Sequence, residues 1–229
     1  MKVGIMQPYF MPYIGYFQLM AAVDKYVIFD DVNYIKRGWS ARNNILVNGQ
    51  KHLFSVMVEG GSQNNLYMQV RVIDDFSKFK KTLEMSYKKA PCYSETMALL
   101  EKVFSYEDRR FNHFIRNSFE VVFDYLGIDT EFVFSSELKN DKQLRGKDKI
   151  LDICKLLGAT EYYNAIGGQE LYDRKEFEEN GIRLYFVNAT LEAYPQLSPE
   201  FIPGLSMIDV LMMNPKESVL SLLEKFSLE

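Results

Sequence analysis

Short apolar runs alternate along this chain with stretches in which apolar residues recur every three or four positions. Val3 to Met6 is the first run and Tyr26 to Phe29 the second, with a helical stretch from Gln18 to Ala22 between them. That order predicts a β-α-β unit. Asn44 to Val47 and His52 to Val58 flank Asn48-Gly49, a pair suited to a type I′ hairpin turn because both positions require positive φ. Gly60-Gly61-Ser62 reads as a loop and Val70 to Ile73 as a further strand. From Asp75 to Leu126 the period turns helical, with Phe76, Phe79, Leu83 and Tyr87 on one face, a break at Pro91, and renewed periods through Phe104 and from Phe111 to Gly127. Beyond it, Glu131 to Phe134, Glu161 to Ala165 and Arg183 to Val187 read as strands. Lys149 to Leu157, Glu170 to Glu178, Met207 to Met213 and Ser218 to Phe226 read as helices. Strands and helices alternating around a helical middle predict an α/β fold with a mostly parallel sheet. Residues 1–229 then form a single domain, with 75–127 inserted as a helical cap.

Composition narrows the class. At 229 residues, 47% hydrophobic and 25% charged, the chain suits one folded globular domain. No apolar run approaches the roughly 20 residues that span a bilayer. The N-terminus lacks a secretory pattern, so a cytoplasmic location is expected. Cys92 and Cys154 lie far apart in apolar or aromatic settings and read as buried thiols, not a disulfide. Two histidines do not supply a zinc site. A net charge of −4 argues against a general nucleic-acid binder. A locally basic pocket on an acidic protein fits a small anion better.

Candidate chemistry gathers after the strand ends, where open α/β sheets bind ligands. Lys36, Arg37, Trp39, Arg42 and Asn43 form the densest cluster: guanidinium forks grip phosphate, a lysine adds a mobile charge, and an indole face stacks on a sugar or base. A solvent-facing charged loop explains the cations but not the tryptophan. Asp30-Asp31 ends the second apolar run and supplies the candidate catalytic carboxylates, as general base, hydroxyl acceptor or Mg²⁺ ligand. The plainer reading is a solvated turn, and the alternation of an extended chain turns only one of the two toward a pocket. Gln7 follows the first strand directly. Gly167-Gly168 after Asn164-Ala165 is a turn that lets backbone N–H groups approach a phosphate, or an ordinary αβ turn.

The run Gln7 to Phe17, then Asp24 to Trp39 and Arg42 to Ile45, resembles the WbqC-like family of bacterial O-antigen and exopolysaccharide gene clusters. Tyr87 to Pro91, Tyr163 to Gly168, Phe177 to Phe186 and Leu205 to Leu211 resemble later blocks of that family, in order. Tyr13-Ile14-Gly15-Tyr16 also lies where the HIGH-motif nucleotidyl transferases (HUP-type folds) place His-x-Gly-His, with the glycine kept and both histidines replaced. That likeness implies a nucleotide-binding role for Tyr13, Gly15 and Tyr16, with ATP and Mg²⁺ as cofactors. The family setting implies a step in making surface sugars, with a nucleotide-linked sugar and a small acyl donor as partners and a homodimer left open. Three roles stay open: an amide-forming ligase working through an acyl-adenylate, an acyl transferase using a preformed donor, and a non-catalytic sugar-nucleotide-binding partner.

Overall fold

The computed structural model describes residues 1–229. β1 (Lys2–Met6) leads through α1 (Ile14–Ala21) to β2 (Lys25–Ile28). Two small antiparallel hairpins follow, β3 (Arg42–Val47) with β4 (Gln50–Ser55), and β5 (Val58–Glu59) with β6 (Arg71–Val72). Then come α2 (Ser77–Tyr87), α3 (Tyr93–Phe104) and α4 (Phe111–Leu126), and after them β7 (Glu131–Phe134), α5 (Gly146–Leu156), β8 (Glu161–Ala165), α6 (Arg174–Glu179) and β9 (Arg183–Ala189). The chain finishes with α7 (Met207–Met213), α8 (Lys216–Leu223) and β10 (Phe226–Leu228).

Six strands form the central sheet in the order β10-β9-β8-β1-β2-β7, and every neighbouring pair is parallel except β10 with β9. The α/β class and the adjacency of β1 and β2 are therefore as the sequence predicts. From β1 the chain builds outward through β2 and β7, then returns to β8 on the other side of β1. The strand order thus reverses between β1 and β8, the place where open α/β sheets leave a crevice at their carboxyl edge.

Both faces of the sheet are covered, so its strands read as apolar runs without alternation. On one face Val3, Ile5, Val27 and Leu184 pack with Ile150, Ile153 and Cys154 of α5 and Phe177 of α6. The other face meets α1, α4, α7 and α8 in a larger core. There Phe119 and Phe123 of α4 lie 5.8 and 5.1 Å from Phe132 of β7. Residues 75–127 hold α2 to α4; α4 lies directly on the sheet, while Phe79 of α2 stacks on Phe54 of the first hairpin at 4.5 Å. The hairpin turn matches its prediction: Asn48 and Gly49 both have positive φ, 52° and 72°.

Four elements differ from the pattern-based expectation. The run His52 to Val58 is broken after Ser55, and Val58 pairs with Val72 in the second hairpin. α1 starts at Ile14, not Gln18, because Ile14 to Met20 are all buried and a helix apolar on every side shows no period. The stretch 166–171 is a 3₁₀ turn, and α6 begins only after Asp173, whose carboxylate accepts the Lys175 N–H at 3.0 Å. The last residues form β10 instead of extending α8, since three residues on an edge strand are too few for a period. No helix is long and apolar enough to cross a membrane.

Candidate functional site

The loop from Gln7 to Tyr13, between β1 and α1, is pinned at several points. The Phe10 N–H donates to Ser40 O at 2.8 Å, and its ring is buried against Phe54, Phe76 and Phe114. Met11 adopts φ 40°, a left-handed conformation costing a non-glycine residue about 1–2 kcal/mol. Its carbonyl accepts from Asn43 Nδ2 at 2.6 Å and Ser206 Oγ at 2.7 Å, which holds that conformation. Pro12 O accepts the Met207 N–H at 2.8 Å. With its backbone fixed, the loop turns Tyr9 and Tyr13 outward. Tyr9 stacks on the buried ring of Tyr16 at 5.3 Å, and the Tyr16 hydroxyl donates to Gln7 O.

Tyr9 lines two neighbouring cavities. The first, about 330 Å³, lies between this loop, the β3–β4 hairpin and the irregular segment after β9. Tyr9, Pro12, Tyr13, Trp39, Arg42, Asn43, Asn44, Lys51, Leu191 and Gly204 form its walls. None is acidic, and neither Arg42 nor Lys51 has a carboxylate partner. Arg42 is oriented by its own backbone surroundings: Nε donates to Gly38 O at 2.8 Å, Nη2 to Arg37 O, and the guanidinium lies 5.7 Å from the Trp39 ring centre. Trp39 is 53% exposed beside the opening. The arrangement suits an anion carrying a flat ring. Burial raises the phenols of Tyr9 and Tyr13, so both stay neutral donors near pH 7.

The second cavity, about 360 Å³, occupies the crevice where the strand order reverses. Gln7 at the end of β1 and Asn164, Ala165, Gly167 and Gly168 after β8 face it, with Phe29, Ile150, Leu171 and Tyr172 closing its sides. No lining residue is charged. Asn164 is occupied internally, donating to Tyr162 OH at 2.8 Å and accepting from the Ala165 N–H at 2.7 Å. Gln7 uses only its main-chain carbonyl within the protein, leaving the side-chain amide free. A methyl group on Gly168 would sit 3.0 Å from Asn164 Oδ1, whereas Gly167 faces open space.

The expected site residues thus divide. Tyr13, Trp39, Arg42 and Asn43 line the first cavity, while Gln7, Gly167 and Gly168 line the second. Asn43 lines its cavity while its amide holds Met11 O. Lys36 and Arg37 are exposed at a turn apart from both cavities, and Arg37 contributes its carbonyl, not its guanidinium. Gly15 and Tyr16 lie in the packed body of α1. A methyl on Gly15 would stand 2.8 Å from Ala189 Cβ and closer still to the Tyr13 ring, so this glycine serves the contact between α1 and β9.

Asp30 and Asp31 line neither cavity. Asp30 is wholly buried, and its oxygens accept from Asn112 Nδ2 at 2.7 Å, Ser136 N at 2.9 Å and Ser136 Oγ at 2.8 Å. Asp31 pairs with Lys149 at 2.8 Å and Lys142 at 3.3 Å. Ser135 Oγ stands 2.5 Å from Asp31 Oδ1 and 3.1 Å from Asp30 Oδ1, and its single proton goes to the nearer acid. Burial pushes the Asp31 carboxyl up, but Lys149, Ser135 and Lys142 together outweigh it and hold the acid below its ordinary range. A general base needs a free lone pair aimed at substrate and a pKa near the working pH. Asp30 has no free lone pair aimed at a cavity, and Asp31 is both ion-paired and held low, so their geometry gives them the task of tying β2 to β7, α4 and α5.

Tyr9 and Lys51 lay outside the sequence-derived candidates. Tyr9 sits among loop aromatics that equally suit packing, and Lys51 is an ordinary outward residue of a strand. Only the three-dimensional arrangement brings them together. Asp209, an acid in the apolar start of α7 that the sequence alone marks as unusual, is buried at the end of a network in which Tyr87 and Tyr194 each donate at 2.7 Å and Gln196 at 3.1 Å.

Comparison with known proteins adds a family. The chain is 30% identical over 217 residues to an uncharacterized protein of Mycobacterium tuberculosis (strain H37Rv), Rv1507c, covering 92% of each. No solved structure matches it. The sequence profile of the WbqC-like protein family matches residues 7–221, taking in the β1–α1 loop, the hairpin and the whole lining of the first cavity. The chain therefore belongs to the WbqC-like protein family.

Proposed function

We propose that this protein joins a small acyl or aminoacyl group to the amine of a nucleotide-linked amino-sugar, in the making of bacterial surface polysaccharide. The observation that carries the reading is the meeting at Tyr9 of two cavities of opposite character, one cationic and one uncharged. A phosphorylated sugar and a neutral acyl group need neighbouring compartments of these two kinds. Holding them in contact makes a bimolecular step effectively unimolecular. In the reaction the amine nitrogen attacks the acyl carbonyl, the new C–N bond forms, the bond to the leaving group breaks with its electron pair staying on that group, and the amine's proton passes to the departing group. The neutral Tyr9 phenol and the free Gln7 amide are donors suited to the oxyanion that develops on the carbonyl. No charged side chain lines the uncharged cavity, neither a carboxylate for Mg²⁺ nor a cation for a triphosphate, which favours a preformed acyl donor there over ATP-driven activation.

The test is direct. Purified protein is incubated with UDP- and dTDP-linked amino-sugars and either acyl thioesters or the free acid with ATP and Mg²⁺, and the sugar nucleotide is weighed by mass spectrometry. A mass gain equal to the acyl group supports the reading, and the donor that works distinguishes its two forms. Calorimetric binding without product reduces the protein to a sugar-nucleotide-binding partner. Neither binding nor product sinks the proposal.

A further inference from the structure

We infer that the nucleoside diphosphate lies in the cationic cavity, held by Lys51 together with Arg42, and not in the sheet crevice where open α/β folds usually take phosphate. The inference rests on the substrate class proposed above. In that usual arrangement a glycine-rich turn after the first strand offers backbone N–H groups to the phosphate at a helix N-terminus. Here the turn begins Gln7-Pro8. Proline has no N–H to offer, the Gln7 carbonyl is taken by Tyr16, and the Phe10 N–H is taken by Ser40. The glycine of α1 packs against Ala189 and the Tyr13 ring, leaving no approach for a ligand. The crevice itself is lined by no charged side chain.

The charge lies across Tyr9 instead. Lys51 sits on β4 opposite Leu46, and its strand pairing places it on the same face of the hairpin as Arg42 and Asn44. Two cations without an acid in one cavity create a demand for about two negative charges, which a diphosphate meets. Arg42 spends Nε on the carbonyl of Gly38, and Nη2 donates to Arg37, so Nη1 remains available in a fixed direction. Lys51 supplies a mobile charge on the facing strand. Trp39 at the opening offers a flat surface to the base. The sugar amine then passes Tyr9 and meets the acyl group in the uncharged crevice. Tyr13 also lines the cationic cavity, and its phenol is a donor suited to a phosphate oxygen.

Calorimetric titration with UDP and dTDP tests the assignment, using the wild-type protein, Lys51→Met, Lys51→Arg and Gln7→Leu at two salt concentrations. Lys51→Met is expected to weaken nucleotide binding about tenfold, the effect of losing one charge-assisted hydrogen bond, and to flatten its salt dependence. Lys51→Arg should stay within about threefold, because the charge is kept. Gln7→Leu should leave nucleotide affinity unchanged while lowering turnover. If Lys51→Met binds as the wild type does, or Gln7→Leu loses as much as Lys51→Met, the placement is overturned while the substrate class stands. If the wild type binds neither nucleotide, the substrate class and the placement fall together. Circular dichroism of each variant guards against misfolding, since Lys51 is exposed on a strand that its side chain does not stabilise.

Discussion

Replacing Lys149 by methionine keeps the length of a side chain that is 2% exposed and removes the charge that faces Asp31. At 2.8 Å the gross attraction between the two ions is about 6 kcal/mol for an effective dielectric near 20. Desolvation of both ions offsets much of that when the pair forms. Removing one partner is different, because the remaining charge stays buried, and such losses run about 3–5 kcal/mol. Lys142 at 3.3 Å and Ser135 at 2.5 Å still serve Asp31, which places the expected loss near the lower end, about 3 kcal/mol. In urea denaturation this moves the midpoint by about 1 M or more, given slopes of about 1–3 kcal/mol per M. The pH dependence gives a second, independent signature. The Asp31 carboxyl is depressed in the folded protein, so its contribution is complete above its ordinary value of 3.8 and fades as pH falls through the lower folded value. The gap between wild type and Lys149→Met should therefore narrow on acidification below that point. Asp31→Asn supplies the control: with the acid neutral, Lys149→Met should cost far less than in the wild-type background. A loss under about 1 kcal/mol in Lys149→Met, or an equal loss in the Asp31→Asn background, would refute the account of this cluster.

Gly15→Ala should lower the melting temperature, at a cost of about 1–3 kcal/mol from overpacking against Ala189 and Tyr13, although alanine is the better helix former at an ordinary site; an unchanged or raised Tm would show that the α1–β9 contact has room. Asp209 is pushed up by burial, only partly countered by Tyr87, Tyr194 and Gln196, so the carboxyl adds stability that is full below pH 3.8 and lost as pH rises through its folded value. Denaturation midpoints of the wild type, relative to Asp209→Asn, should accordingly rise as pH is lowered toward 3.8, and parallel curves would contradict this. Tyr9→Phe keeps the stacked ring of the residue that lines both cavities but removes its hydroxyl. Its kcat for acyl transfer is expected to fall about tenfold or more with UDP affinity retained, and an unaltered kcat would remove Tyr9 from the chemistry.

Much of this fold was legible because its elements follow simple periods. The parallel strands announce themselves as apolar runs, and Asn48-Gly49 and Gly127 sit where left-handed backbone is required. α1 was cut short because burial on every side erases the helical period, and β10 was lost for want of length. The site was legible by half. Arg42 and Trp39 stood out through residue type, and Gln7 through position. Composition alone does not distinguish Arg42, aimed into a cavity by two carbonyls, from Arg37, which shares its cluster and lends it a carbonyl. Nor does an acid pair after a strand reveal that Lys149, more than a hundred residues later, saturates one member. Lys51 carried no signal, since its partner across the cavity is set by hairpin register and not by sequence distance.

The bond from Ser206 to Met11 joins positions 195 residues apart, and Leu191 and Gly204 wall the cavity opposite Tyr9 and Tyr13. During synthesis, then, the ribosome releases the tyrosine loop and the hairpin long before the segment that completes their enclosure. Until Ser206 emerges, the left-handed turn at Met11 lacks one of its two supports, and the nascent chain has only an open groove there. Contacts of such separation form late and slowly. Ligand capture should therefore report assembly of the entire chain, and a stalled or truncated nascent chain would be blind to nucleotide however native its first strands become.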